Sequence, residues 1–377
     1  MARPLVADID LDALRYNYCL ARELAPHSLA LAVIKADAYG HGSVACAAAL
    51  ESLPADVRPP AFAVACIEEA ETLRQGQIET PIVLLEGIFE AAELARVEAL
   101  DLWLAVHSEW QVSALLAHRP ARPIPVWLKV DSGMHRLGFT PEEAVGVWQC
   151  LAGSPGCVTA VQLMSHFATA DAVDAGYFRQ QLACMQQLAK RLDAPLCLAN
   201  SPATLAWPEA HQAWVRPGVM LYGSDPLEVP SDVTRRLKPV MTLRSEIIAM
   251  RDLKSGEAVG YAGRWRAPRP SRIAVVACGY GDGYDRHAVD GTPVLVAGQR
   301  ATIAGKVSMD MLTVDVTDIP EADIGSEVVL WGRACNGGVL SVDTVARHCD
   351  TISYTLLTGV LPRVPRRYRG LGGETCL

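Results

Sequence analysis

The sequence holds no apolar run approaching the length of a membrane span, and its start, Met1-Ala-Arg-Pro-Leu-Val-Ala-Asp-Ile-Asp, lacks the apolar stretch of a secretory signal. A cytoplasmic location is therefore expected. No lysine or arginine cluster extends beyond short pairs and the net charge is -8, so neither nucleic acid nor a membrane surface is an expected partner. There are 11 cysteines, an odd number, but no Cys-x-x-Cys. Thiols scattered in this way argue against a disulfide framework or a zinc site and predict reduced cysteines. Also absent are a low-complexity linker and a Gly-x-Gly-x-x-Gly turn, and the lack of the turn weighs against a doubly wound dinucleotide-binding sheet. What remains is 377 residues of ordinary globular composition, 50% hydrophobic and 20% charged, long enough for a large barrel and a second domain.

Residues 29–42, Leu-Ala-Leu-Ala-Val-Ile-Lys-Ala-Asp-Ala-Tyr-Gly-His-Gly, read as a buried strand, a turn and the approach to a helix. Lys35 stands where the apolar run ends. A lysine there has its stem in apolar surroundings, which disfavours the ammonium form and makes a free amine available for Schiff-base chemistry. Snorkelling to solvent is the plain alternative. Tyr39 and Gly40 favour the chemical reading, because a phenol can hydrogen-bond a phosphate and a glycine lets backbone approach a ligand.

Similar apolar runs recur at 61–67, 81–87, 102–106, 125–131, 158–166, 196–200 and 214–222. They are continuous rather than alternating, as strands buried on both faces should be. Between them lie helical patterns, such as Phe178, Leu182, Met185, Leu188 and Leu192 at steps of three and four. Eight strand-then-helix units predict an α/β fold with a (β/α)8 barrel over residues 1–232, with about the first 10 residues packing on the following domain. From 233 to 377 the segments are short, β-branched and punctuated by Gly, Pro and Asp, which predicts a mostly antiparallel β domain. Short helices are expected near 343–347 and 351–357.

Barrel chemistry collects where strands end at the C-terminal face. The polar residues closing the runs are Lys35; Lys129, Asp131, His135 and Arg136; Ser165 and His166; Asn200 and Ser201; and Arg216 with Gly218 and Val219. Each alone has a structural explanation: Ser201 as a helix cap, Gly218 as a turn, His166 as a satisfied core histidine, Arg136 as an ion-pair partner of Asp131. Together they mark one rim, with phosphate expected near Ser201 and Gly218-Val219. The second domain adds Val259-Gly-Tyr261, Gly279-Tyr280-Gly-Asp, Ser308-Met309-Asp310 and Thr351-Ile-Ser-Tyr354.

These segments resemble, in order and over essentially the whole chain, the motifs of the pyridoxal-phosphate-dependent alanine racemases of bacteria. The resemblance implies that Lys35 carries pyridoxal 5'-phosphate, that Tyr39, Ser201, Gly218, Val219 and Tyr354 hold its phosphate, and that Arg216 faces its ring nitrogen with His166 alongside. It implies two proton-transferring groups, Lys35 and Tyr261, the latter supplied by the other subunit of a homodimer with shared sites. Arg136 and the backbone at Met309 would bind the carboxylate of alanine, Lys129 would be open to carbamylation, and Tyr280 and Asp310 would line the mouth of the site. The expected activity is interconversion of L- and D-alanine, for cell-wall synthesis or alanine breakdown. The same residues would serve a racemase of serine or lysine, and a non-catalytic cofactor-binding barrel is a reading from another class. Two departures stand out: His135 where the family more often has asparagine, and Ser308 where cysteine is common.

Overall fold

The run at 29–35 is the seam at which a ring of eight strands closes in the computed structural model, which describes residues 3–370. Along it the backbone N–H groups of Leu29, Leu31 and Val33 donate to Ala213, Val215 and Pro217 on the last strand, while those of Ala32 and Ile34 donate to Ala61 and Ala63 on the next. Alternate donation to both neighbours is what a parallel strand does, and here it joins the ring's two ends. The other staves are Phe62–Val64, Ile82–Leu84, Leu102–Val106, Ile124–Lys129, Val158–Met164, Leu196–Cys197 and Trp214–Val215, all parallel to their neighbours. Two buried phenols complete the seam: Tyr18 donates to Ala30 O and Tyr222 to Val33 O, each at 3.1 Å.

The helices between these strands carry their apolar faces inward, as in Gly176–Leu192, where Phe178, Leu182, Met185 and Leu188 are buried. Within the ring, Trp127 meets Trp214 and Trp103 with centroids 5.1 and 6.4 Å apart. The three rings come from strands that are not all adjacent, so they plug the barrel interior and leave the C-terminal rim to polar residues.

The C-terminal part also closes on itself. Met241–Leu253 pairs antiparallel with both Ser271–Val276 and Glu327–Arg333, and Leu312–Asp315, Gln299–Ile303 and Pro293–Val296 complete a six-stranded ring. Val6–Asp10 pairs with the first of these strands and, in parallel, with Arg366–Arg369. The latter strand had no signal in its arginine-rich sequence. It is fixed instead by buried Asp8, whose carboxylate receives Arg244 at 2.5 Å and Arg369 at 3.3 Å. Helices Val342–His348 and Ser353–Thr358 follow, and the second packs on the turn after Lys35.

Nine cysteines are free thiols, but Cys19 is disulfide-bonded, which corrects the expectation of reduced cysteines throughout. Cys376 lies outside the described residues. Among the described residues no helix is long and apolar enough to cross a membrane.

Candidate active site

Lys35 leaves the barrel seam into a turn with an uncommon backbone. Ala36, Asp37, Ala38 and Tyr39 all have φ of 52°, one turn of left-handed helix built without glycine. Each such residue costs of order 1–2 kcal/mol, so the surroundings must hold it. Ala36 N–H donates to a Glu69 carboxylate oxygen at 2.7 Å. Buried His41 places Nδ1 2.9 Å from the carbonyl oxygens of both Ala38 and Tyr39. Burial pushes the His41 imidazole down to about 4, so it serves this turn as a neutral donor. Asp37 accepts from Ser43 N–H at 2.7 Å, capping the helix Ser43–Glu51, which Gly42 cannot cap. Gly40 is required by contact as well as by its φ of 80°, since a Cβ there would lie 2.3 Å from Leu357 O.

The turn delivers Tyr39 to a cradle made with the last two strands. Ser201 opens the helix Ser201–Ala206, and its Oγ accepts from Gly218 N–H at 2.8 Å and Met220 N–H at 3.3 Å. A Cβ on Gly218 would lie 2.6 Å from the Tyr39 hydroxyl, so the phenol reaches this backbone only because the residue is glycine. The Tyr39 ring lies 4.8 Å from that of Tyr222 and 5.9 Å from that of Tyr354. Burial raises the pKa of Tyr39 and Tyr354, which keeps both phenols protonated as donors.

A cavity of about 670 Å³ opens over this cradle, lined by Lys35, Tyr39, Lys129, Arg136, His166, Ser201, Arg216, Gly218, Val219 and Tyr354 among others. Its charge is lopsided: Lys35, Lys129, Arg136 and Arg216 face it, against one carboxylate, Glu86. Within a chain of net charge -8 this is a built anion site. Arg216 is buried and its donors go to carbonyls, Cys197 O at 2.7 Å and Ser165 O at 2.8 Å, with His166 Nδ1 at 3.5 Å. Burial and the Arg216 guanidinium hold His166 down to about 3, a neutral ring at working pH. Burial, with Arg216 and Arg136 nearby, holds the Lys129 ammonium down to about 8. Arg136 makes no hydrogen bond among the described residues, so its fork is open to a carboxylate. Asp131, expected as its partner, instead receives His135. A second cleft, of about 780 Å³, near the opposite ends of the strands is lined by Arg22, Arg58, Glu51, Asp56 and Glu79 but by no lysine, histidine or cysteine, and has none of this bias.

The remaining site residues lie elsewhere on the chain. Tyr261 sits at the tip of the hairpin Ala258–Val259 and Trp265–Arg266, 67% exposed. Arg264 ties that hairpin to Gly305 O at 2.9 Å. The loop from Gly305 continues to Met309, 54% exposed, whose carbonyl accepts from Gly281 N–H at 2.8 Å, beside Tyr280. Asp310 pairs with Arg363 at 2.8 Å. Tyr261, Tyr280, Met309 and Asp310 thus share one face of the C-terminal domain, and none lines the cavity. Sequence reading missed Glu86, although it closes the run at 81–87 and the strand-end rule would have found it. It also missed Glu69, for which no local signal exists.

A lysine at the end of the first strand and a cationic cavity over a backbone cradle, on a barrel followed by a β-domain, define a protein that takes an anionic ligand beside a lysine amine. Its sequence matches the family models described as alanine racemase, N-terminal domain, over residues 9–226 and alanine racemase, C-terminal domain, over residues 240–368. The chain belongs to the alanine racemase family of isomerases. It is 71% identical to alanine racemase of Chromohalobacter salexigens, covering 98% of this chain and 99% of that one. It is 52% identical to the catabolic alanine racemase of Pseudomonas putida, with coverage of 98% and 99%. Among solved structures, biosynthetic alanine racemase of Pseudomonas aeruginosa superposes with a TM-score of 0.91 at 49% identity, covering 97% of this chain and 99% of that chain.

Proposed function

We propose that this chain interconverts L- and D-alanine with pyridoxal 5'-phosphate held through Lys35. The observation that carries the reading is the cavity itself: four cationic side chains against one carboxylate, above a cradle that only glycine at 218 leaves open to Tyr39. Those residues fit a dianionic phosphate, which Tyr39, Ser201, Tyr354 and the Gly218-Val219 backbone would hold. When bound, the cofactor supplies an electron sink that acidifies the Cα–H of an amino acid joined to it.

The chain's own residues then divide the work. Arg216 faces the ring nitrogen in this assignment, and a guanidinium that keeps its proton leaves that nitrogen unprotonated, which tempers the sink and favours return of the proton. Neutral His166 stands on the other side of Arg216. Arg136 takes the substrate carboxylate with the backbone at the partner subunit's Met309, since Met309 of this chain lies outside the cavity, and carbamylated Lys129 would give Arg136 an anionic partner. Proton removal on one face and delivery on the other needs two groups, the Lys35 amine and a phenol. The phenol we assign is the partner subunit's Tyr261, because the same residue of this chain is exposed and outside the cavity. Tyr280 and Asp310 lie on the same exposed face and would line the mouth of a site shared in a homodimer.

The test is incubation of the loaded protein with L-amino acids in deuterated water, following Cα–H loss by proton NMR and chirality by circular dichroism. Alanine is expected to exchange and racemise fastest, from either enantiomer. Faster exchange of serine or lysine would move the substrate and leave the chemistry. No exchange in protein with its visible cofactor absorbance intact would overturn the reading.

A further inference from the structure

Lys35 is aimed by a turn that the chain does not adopt on its own, and one side chain far away in sequence grips the first peptide of that turn. Glu69, in the first turn of helix Ile67–Gln75, accepts from Ala36 N–H through one carboxylate oxygen at 2.7 Å and from Ala65 N–H through the other, also at 2.7 Å. Ala65 follows the second barrel strand, so one carboxylate joins the ends of two neighbouring strands. Ala65 precedes the N-cap Cys66, so the bond to its N–H keeps the carboxylate at the start of its own helix, where the macrodipole favours negative charge. The bond to Ala36, the residue after Lys35 and 33 positions away from Glu69, has no part in that helix.

We propose that Glu69 is a positioning residue for Lys35: it fixes the left-handed turn so that the lysine amine leaves the barrel seam toward the cavity. The inference rests on the reading that Lys35 carries the cofactor. Without the carboxylate, Ala36 N–H loses a charge-assisted partner and the turn can relax to right-handed geometry, which re-aims Lys35. The cradle at Ser201 and Gly218 belongs to other strands and is unaffected.

The test compares wild type, Glu69→Ala and Glu69→Gln, with Glu68→Ala as an exposed neighbouring control. Each cofactor-free protein receives limiting pyridoxal phosphate and then borohydride. The lysine amine condenses with the aldehyde, releasing water, and hydride reduces the carbon–nitrogen double bond to a stable amine. Peptide mass spectrometry then reads the labelled fraction of Lys35. Binding of 4-deoxypyridoxine phosphate, which has the phosphate but no aldehyde, is measured alongside.

Loss of one charge-assisted bond corresponds to about a tenfold fall in labelling for Glu69→Ala. Glu69→Gln, which keeps a single acceptor oxygen, should fall between it and wild type. Glu68→Ala should match wild type, and the aldehyde-free analogue should bind all four within about threefold. Unchanged labelling in Glu69→Ala overturns the inference. So does an equal loss of analogue binding, which would make Glu69 a support of the whole cradle. If Glu69→Ala does not fold, Glu69→Gln carries the same comparison. Wild type unlabelled at Lys35 would instead overturn the cofactor reading, and the inference with it.

Discussion

Lys129 shows how burial prepares one residue for chemistry. With its pKa held to about 8, roughly 10% of its amine is neutral at pH 7, against about 0.04% for an ordinary lysine at 10.4. Carbon dioxide adds only to the neutral amine, forming the N–C bond and releasing a proton. At fixed carbon dioxide pressure, carbamylation of Lys129 should therefore climb as pH rises toward 8, where ordinary lysines remain inert. Carbon-13 NMR with labelled carbon dioxide reads this directly, and Lys129→Met should remove the signal. No carbamate signal between pH 6.5 and 9 would leave Arg136 facing its substrate without an added anion. Single residues were legible in sequence when their role follows from position at a strand end: Lys35, Lys129, His166, Ser201 and Arg216 all meet in the cavity. Glu69 was not legible because one of its two partners, Ala36 N–H, is 33 positions away and reaches it only through the pairing of the first two strands.

The turn after Lys35 is the element on which the rest of the site depends, and nothing in Ala36-Asp37-Ala38-Tyr39 announces its hand. Alanine has no preference for positive φ, so the strand before and the helix after were readable while the conformation between them was not. Tertiary contacts impose it, and the one at Gly40 is against backbone. Gly40→Ala would set a Cβ 2.3 Å from the Leu357 carbonyl oxygen, a backbone atom that cannot rotate aside, at a φ of 80°. The loss of stability should be about 2–3 kcal/mol or more. Gly256→Ala, at a φ of 88° in open space, carries only the backbone cost of about 1 kcal/mol. Urea unfolding of the two variants separates the effects. Equal midpoints would mean that the helix Ser353–Thr358 does not press on the turn. Because that helix also carries Tyr354, Gly40→Ala should loosen cofactor retention too, whereas Gly256→Ala should not.

At the scale of the whole molecule, the fourteen residues to which the resemblance gives a role fall on two surfaces of one chain. Ten line the cavity, and Tyr261, Tyr280, Met309 and Asp310 share an exposed face of the second domain. Strand periodicity made the barrel legible, and short β-branched segments made the second domain legible. Periodicity could not show that both ends of the chain enter the same sheet, because Arg366–Arg369 is held there by Asp8 rather than by an apolar pattern. Nor can one chain's geometry unite the two surfaces, whereas a twofold dimer can, by setting each exposed face over the partner's cavity. Mixing Lys35→Ala with Tyr261→Phe then gives a definite arithmetic. Random exchange makes about half of the dimers mixed, and in each of these one of the two sites pairs an intact lysine with an intact phenol, so activity should return to about a quarter of wild type. Native mass spectrometry establishes that subunits have exchanged. Mixed dimers without activity would place both groups within one chain, and would require Tyr261 to travel from the surface it now occupies.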